Sequence, residues 1–171
     1  MTDHLTPFQP VPGVRLATAA AGIRYQGRDD VALLELPPGA RCAAVFTRNA
    51  FCAAPVVVAR RHLGSHMPRY LLINSGNANA GTGARGLTDA EASCSALADR
   101  AGCRTEEVLP FSTGVIGEPL PVDRLTAVLD GALERLRETA WPEAARAIMT
   151  TDTVPKLASR RFAVAGRTAV V

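Results

Sequence analysis

Two short stretches of this 171-residue chain set hydroxyls beside a glycine or a carboxylate: Ser112-Thr113-Gly114 and Thr150-Thr151-Asp152-Thr153. A hydroxyl and a glycine N–H that converge can bind a developing oxyanion, because glycine lets the backbone approach a ligand closely. Each stretch also has a plain structural reading. The first reads as a turn at a strand end, the second as a helix C-terminus whose hydroxyls bond its last carbonyls. Asp152 reads equally as a base or as a local hydrogen-bond acceptor. A third stretch, Asn74 to Gly83, holds three glycines and three asparagines. These supply positive-φ positions and short polar groups that bond nearby backbone, as in a strand-to-helix loop.

Several standard catalytic sets are missing. The chain has no G-x-S-x-G elbow, no P-loop and no cysteine pair spaced for zinc. Its 19 basic and 16 acidic residues are spread along the chain with little aromatic interleaving, so no nucleic-acid partner is expected. All but one of the basic residues are arginine, Lys156 being the exception. Cys42, Cys52, Cys94 and Cys103 lie among Ala and Val and read as small buried thiols of a reducing compartment. His62 and His66 are separated by Gly64 and followed by Pro68, so they do not make a helical metal pair. The first seven residues, with an acid and an early proline, do not read as a secretory signal, and no apolar run reaches membrane length.

Short apolar runs and turn residues give the elements that must carry these stretches. Val31–Leu36, Ala43–Thr47 and Pro55–Ala59 read as neighbouring strands, broken at Pro37-Pro38-Gly39 and Arg48-Asn49. Tyr70–Ile73 reads as a buried strand feeding the Asn/Gly loop, and Val108–Phe111 as a second feeding the Ser-Thr-Gly turn. Thr88-Asp89-Ala90-Glu91 has the form of a capping box, starting a helix that stops at Gly102. Leu125, Val128, Leu129, Ala132, Leu133 and Leu136 recur at helical steps, which predicts an amphipathic helix over 123–137 capped by Asp123, its stripe facing the core. A short helix from Trp141 to Met149 and a hairpin of 161–164 with 168–171 close the chain. Strands alternating with amphipathic helices give a mixed α/β or α+β fold, with 1–171 as a single domain.

Three stretches in order and spacing carry a family resemblance. Asn74-Ser75-Gly76-Asn77-Ala78-Asn79-Ala80, Ser112-Thr113-Gly114-Val115-Ile116-Gly117, and Ala147–Thr153 with Pro155-Lys156 are similar to the ornithine acetyltransferase family, the bifunctional glutamate N-acetyltransferases of arginine biosynthesis. Ala44-Val45-Phe46-Thr47 and Gly166-Arg167-Thr168 match as well, so the resemblance covers nearly the whole chain. It implies a layered α/β domain completed by a β chain from the same self-cleaved precursor, in a cytoplasmic α2β2 assembly. It also implies a mechanism in which the β chain's N-terminal threonine takes an acetyl group from N-acetylornithine and passes it to glutamate. No cofactor is implied, with acetyl-CoA an alternative acetyl donor.

By position, the resemblance makes the Thr113 hydroxyl and the Gly114 N–H the oxyanion hole and Thr153 a substrate-binding threonine. Gly81 and Leu157 depart from the pattern, where many relatives have Cys and an acidic residue. The segment that leads to the cleavage site in the family does not follow Val171, so the chain reads as an α chain lacking its last residues. Two other readings remain open: a paralogue or amidase acting on another N-acyl amino acid, and a non-catalytic binding homologue.

Overall fold

The computed structural model describes residues 8–171, so the readings of the first seven residues and of His4 lie outside it. Four strands form the main sheet in the order β1 (Arg15–Ala19), β2 (Val31–Glu35), β3 (Tyr70–Asn77), β4 (Val108–Val115). The β1–β2 and β2–β3 pairs are antiparallel, whereas β3 and β4 are parallel. A parallel pair needs a long crossover, and the helix α2 (Gly83–Ala101) supplies it.

Alternation along the strands sends their side chains to two unlike faces. Ala17, Val31, Leu33, Tyr70, Leu72 and Val108 form one face, packed against four helices: Val58 of α1 (Ala54–Leu63), Cys94 and Leu97 of α2, Leu125 of α3 (Val122–Ala127) and Leu129 of α4 (Leu129–Glu134). Burying each such leucine is worth about 1.5–3 kcal/mol relative to exposure. On the other face Leu16 and Ala32 meet Ala140, Ala144 and Ala147 at the helix α5 (Trp141–Ala147). The result is the expected mixed α/β layering, with the two faces unequally covered.

Several sequence expectations are corrected. Residues 43–47 form no strand and Val45 is 100% exposed; both edges of β2 are already taken by β1 and β3, so this run cannot pair with β2. Pro55–Ala59 lies in α1, not a strand: the proline occupies the first turn, where its missing N–H costs nothing, and Ala54, Val58, Ala59 and His62 are buried at helical spacing. β1 escaped the sequence reading because its alanines carry little strand propensity; the ladder to β2 makes it a strand.

The crossover helix starts at Gly83, and Thr88 lies inside it, donating from its hydroxyl to the Ala84 carbonyl instead of capping. It ends at Gly102, in the left-handed conformation as predicted. The predicted helix over 123–137 is two helices interrupted at Val128, and Asp123 makes no capping bond. Beyond Glu134 the chain pairs with β1, Leu16 and Arg137 exchanging backbone hydrogen bonds of 2.9 Å, which ends the helical stretch. The core stripe nevertheless holds, with Leu125, Leu129 and Ala132 buried. The closing hairpin forms as β5 (Arg161–Val164) and β6 (Arg167–Val170). Of the free cysteines only Cys94 is buried; Cys42, Cys52 and Cys103 are partly exposed. No helix among the described residues is long and apolar enough to cross a membrane.

Tyr70 ties β3 to β2, its buried ring leaving the hydroxyl 3.0 Å from Glu35 Oε1, to which it donates. Burial, then the Glu35 carboxylate, pushes the phenol up to about 12. The folded state thus favours the protonated phenol, so this contribution is full below an unfolded pKa of about 10 and lost as pH rises towards 12. Urea denaturation curves are expected to show stability falling across that interval, and Tyr70→Phe to flatten the fall.

Candidate active site

The Asn/Gly stretch and the Ser-Thr-Gly stretch are not independent loops. β3 continues through Asn77 and β4 through Val115, so Asn74 to Asn77 and Ser112 to Val115 are the C-terminal ends of adjacent parallel strands. Ligands of α/β sheets bind at such strand ends. In register, Asn74 stands beside Ser112, Ser75 beside Thr113 and Gly76 beside Gly114, with a bulge at Gly76/Asn77. Thr113 is partly buried and Gly114 is exposed. β4 ends the strand order, so its outer edge has no strand neighbour among the described residues.

Two glycines allow the close packing here, Gly114 against β3 and Gly76 against Arg24. A Cβ on Gly114, whose φ is +136°, would lie 2.3 Å from the Gly76 carbonyl carbon and 2.6 Å from the Asn77 nitrogen. Gly76 has φ +95°, and its own Cβ would fall 2.8 Å from Arg24 Cβ. No L side chain fits either position without moving backbone.

Hydrogen bonds fix the surroundings. The Asn74 amide donates to the Asn77 carbonyl at 2.8 Å and its Oδ1 accepts from the Ser112 hydroxyl at 2.6 Å. Asn77 donates to the Glu118 and Pro119 carbonyls, each at 3.1 Å, and accepts from the Asn79 N–H at 2.7 Å. The returning loops are joined by Ala78 N–H to the Val115 carbonyl at 2.9 Å and Gly117 N–H to the Ala80 carbonyl at 2.8 Å.

The hydroxyl cluster is brought towards the same strand end. Ser75, register partner of Thr113, donates from its hydroxyl to the Ala147 carbonyl at 2.6 Å, and Arg28 donates to the Met149 carbonyl at 2.6 Å. The end of α5 is thereby held to β3, and Thr150 to Thr153 leave from it. Thr153 lies on an exposed stretch without regular structure. Asp152 is paired with Lys156, whose ammonium holds the carboxyl below the usual range. An acid kept ionised in this way is a poor proton acceptor at neutral pH.

Sequence reasoning missed three features. The Asn74–Ser112 and Ser75–Ala147 bonds depend on which strands pair, but three asparagines extending a buried apolar run were their signal. Arg28 gave none. Gly81-Thr82-Gly83-Ala84-Arg85-Gly86, which runs from the end of the β3–α2 loop into the first turn of α2, also has the spacing of a dinucleotide-binding loop. Its polar groups turn inward: Thr82 donates to Asn79 Oδ1 at 2.9 Å, and Asn79 donates to the Gly86 carbonyl at 2.8 Å. That loop serves packing.

A groove of about 1170 Å³ is lined by Arg15, Glu35, Arg41, Arg69, Glu107 and others, at the opposite ends of β3 and β4 from Thr113. A smaller pocket of about 280 Å³ lies between Phe51, Cys52 and the Gly81–Gly83 turn. No group of three metal donors occurs among the described residues. The crossing itself is open to test. Gly114→Ala is expected to destabilise by about 3 kcal/mol or more, from overpacking and positive φ together. Gly117→Ala, with nothing within 4 Å of its Cβ and φ +84°, should cost only about 1–2 kcal/mol; equal midpoints in urea would refute the close approach.

Residues 15–171 match the family model described as the ArgJ family. The arginine biosynthesis bifunctional protein ArgJ of Methylococcus capsulatus is 63% identical over 162 residues, covering 95% of this chain and 40% of that protein. The protein of the same name from Psychrobacter arcticus is 53% identical over 157 residues, covering 92% of this chain and 39% of that protein. The chain therefore spans about two fifths of the length of these relatives. Among solved structures, arginine biosynthesis bifunctional protein argJ of Bacillus halodurans superposes with a TM-score of 0.87 at 32% identity, covering 94% of this chain and 84% of that one. Ornithine acetyltransferase of Mycobacterium tuberculosis, complexed with ornithine, gives a TM-score of 0.79 at 38% identity, covering 84% of this chain and 79% of that one. The mixed α/β layering is thus that of the solved ArgJ structures, and with the model matched from Arg15 to Val171, this chain belongs to the ArgJ family.

Proposed function

We propose that this chain is the α subunit of an acyltransferase of arginine biosynthesis that moves an acetyl group from N-acetylornithine to glutamate, working with a β chain from the same precursor. The observation that carries the reading is the crossing of Gly76 and Gly114, which commits the exposed Gly114 to a backbone only glycine tolerates, next to the Thr113 hydroxyl at a parallel strand end. Two comparisons support it. A solved relative is an ornithine acetyltransferase complexed with ornithine. The chain also covers about four fifths of the solved chains but only two fifths of the curated proteins, as expected if family members are divided into two chains.

In this reading the threonine hydroxyl that begins the β chain attacks the acetyl carbonyl, and its own α-amine takes the proton. The carbonyl oxygen becomes an oxyanion, which accepts hydrogen bonds from the Thr113 hydroxyl and the Gly114 N–H. Collapse breaks the C–N bond, the proton passes to the leaving amine, and ornithine departs from an acetyl ester on the threonine. The glutamate amine attacks that ester to give a second oxyanion held by the same two donors. Its collapse breaks the C–O bond, the proton lost by the amine restoring the threonine hydroxyl as N-acetylglutamate is released. Thr153 binds substrate, on the stretch held at one end by Ser75 and Arg28 and flanked by the Asp152–Lys156 pair. No cofactor enters, and acetyl-CoA would serve only as an alternative donor. The assembly is an α2β2 heterotetramer in the cytoplasm.

Thr113→Ala, assayed as acetyl transfer from N-acetylornithine to glutamate by the full-length protein, is expected to cost about 2.7–4 kcal/mol of transition-state stabilisation, a drop in kcat of about 10²–10³-fold. Turnover near wild type would overturn the oxyanion role, and hydrolysis without transfer would favour an amidase. Intact-mass spectra of the purified enzyme are expected to resolve a second chain beginning with threonine; a single uncleaved species in active material would refute the two-chain reading.

A further inference from the structure

A glycine has no conformational preference of its own to hold an N–H in place, so whatever aims the Thr113–Gly114 peptide must come from its neighbours. Resting on the acyl-transfer reading above, we infer that Asn74 and Ser112 are positioning residues that brace this peptide through the bulge in β3.

Asn74 is 2% exposed, and both ends of its side-chain amide are used. Its Oδ1 accepts from Ser112, the residue before Thr113, and its Nδ2 donates to the Asn77 carbonyl, just past the bulge. The next N–H, that of Ala78, donates to the carbonyl of Val115, the residue after Gly114. The path Ser112–Asn74–Asn77–Ala78–Val115 thus closes a ring of hydrogen bonds around Thr113 and Gly114. By strand alternation Asn74 and Ser112 point to the helix-covered face and Thr113 to the other, so the brace lies behind the hydroxyl and leaves its front free.

The chemistry of asparagine suits this place. One planar group both accepts from a hydroxyl and donates to a carbonyl; an aliphatic residue would leave both partners unsatisfied, and a carboxylate would lose the donor. A misplacement of about 1 Å in a catalytic group can cost on the order of 10²-fold in rate, so slackening the ring should act on turnover before it acts on folding.

The test uses Ser112→Ala in the full-length protein with N-acetylornithine and glutamate. Expected is a fall in kcat of roughly 10- to 100-fold, with KM changed by less than about threefold. Ser112→Thr, which keeps the hydroxyl, should recover most of it. Because the brace acts through Thr113 and Gly114, adding Ser112→Ala to Thr113→Ala should slow the enzyme by a smaller factor than Ser112→Ala does alone, as for coupled residues. Leu97→Ala, a core variant remote from this ring, should lower Tm yet leave kcat near wild type. Should Ser112→Ala not fold, Ser112→Cys, with a weaker donor of similar size, is read by the same split of kcat against KM.

A Ser112→Ala enzyme with kcat within about twofold of wild type, or losses that multiply in the double variant, would overturn the positioning role while leaving the oxyanion role standing. A near wild-type Thr113→Ala would instead overturn the reading on which this inference rests.

Discussion

The contact on which the site depends is the approach of two bare backbones, Gly114 over the Gly76–Asn77 peptide. At this crossing a methyl group on Gly114 would sit 2.3 Å from the Gly76 carbonyl carbon, so the ends of β3 and β4 converge only because Gly114 has no side chain, while bare Gly76 lets Arg24 pack close by. The bulge at Gly76/Asn77 follows from that convergence. It brings the strand exits close enough for Ala78 to bond Val115 and Gly117 to bond Ala80. Parallel pairing requires a crossover, and α2 provides it, seated by Leu97 and Cys94 in the main core. Burial with little electrostatic relief pushes the Cys94 thiol up to about 12, so it packs as an inert small hydrophobe.

How legible this was in the sequence depended on the range of the interaction. Apolar runs with polar punctuation gave β2, the starts of β3 and β4, the Gly102 helix end, α5 and the hairpin. Errors came where tertiary context overruled propensity. Val56, Val57 and Val58 look like a strand, yet they lie in a helix because Pro55 opens one and α1 has a face to bury. Asn74 to Asn77 look like a loop, yet they are strand, because the buried amides find partners, Asn74 on Asn77 and Ser112, and Asn77 on Asn79, Glu118 and Pro119. Family motifs were readable because their spacing survives in one dimension. The ring that braces Thr113 was not, since it exists only once β3 lies beside β4.

The two sheet faces differ in a way that bears on the site. One is sealed by α1 to α4; the other meets α5, leaving Phe111 of β4 42% exposed. Ser75 and Thr113 sit on this second face by alternation, and Ser75 reaches the end of α5. The relatively open face and the segment bearing the hydroxyl cluster, which leaves the end of α5, therefore lie on one side of the sheet.

That placement limits what the chain can contribute to a reaction there. His62 is buried at the start of β4, its Nδ1 2.8 Å from the Val108 carbonyl, where it fastens α1 to the sheet. His66 is tied to the Ser65 hydroxyl. Asp152 is held ionised by Lys156. None of these is placed to exchange a proton beside Thr113. What the strand end does offer is a hydroxyl and a peptide N–H on a backbone with almost no freedom, backed by a satisfied amide network. Fixed dipoles of this kind stabilise developing charge without reorganising as it forms. The local chemistry of this strand end therefore suits charge stabilisation.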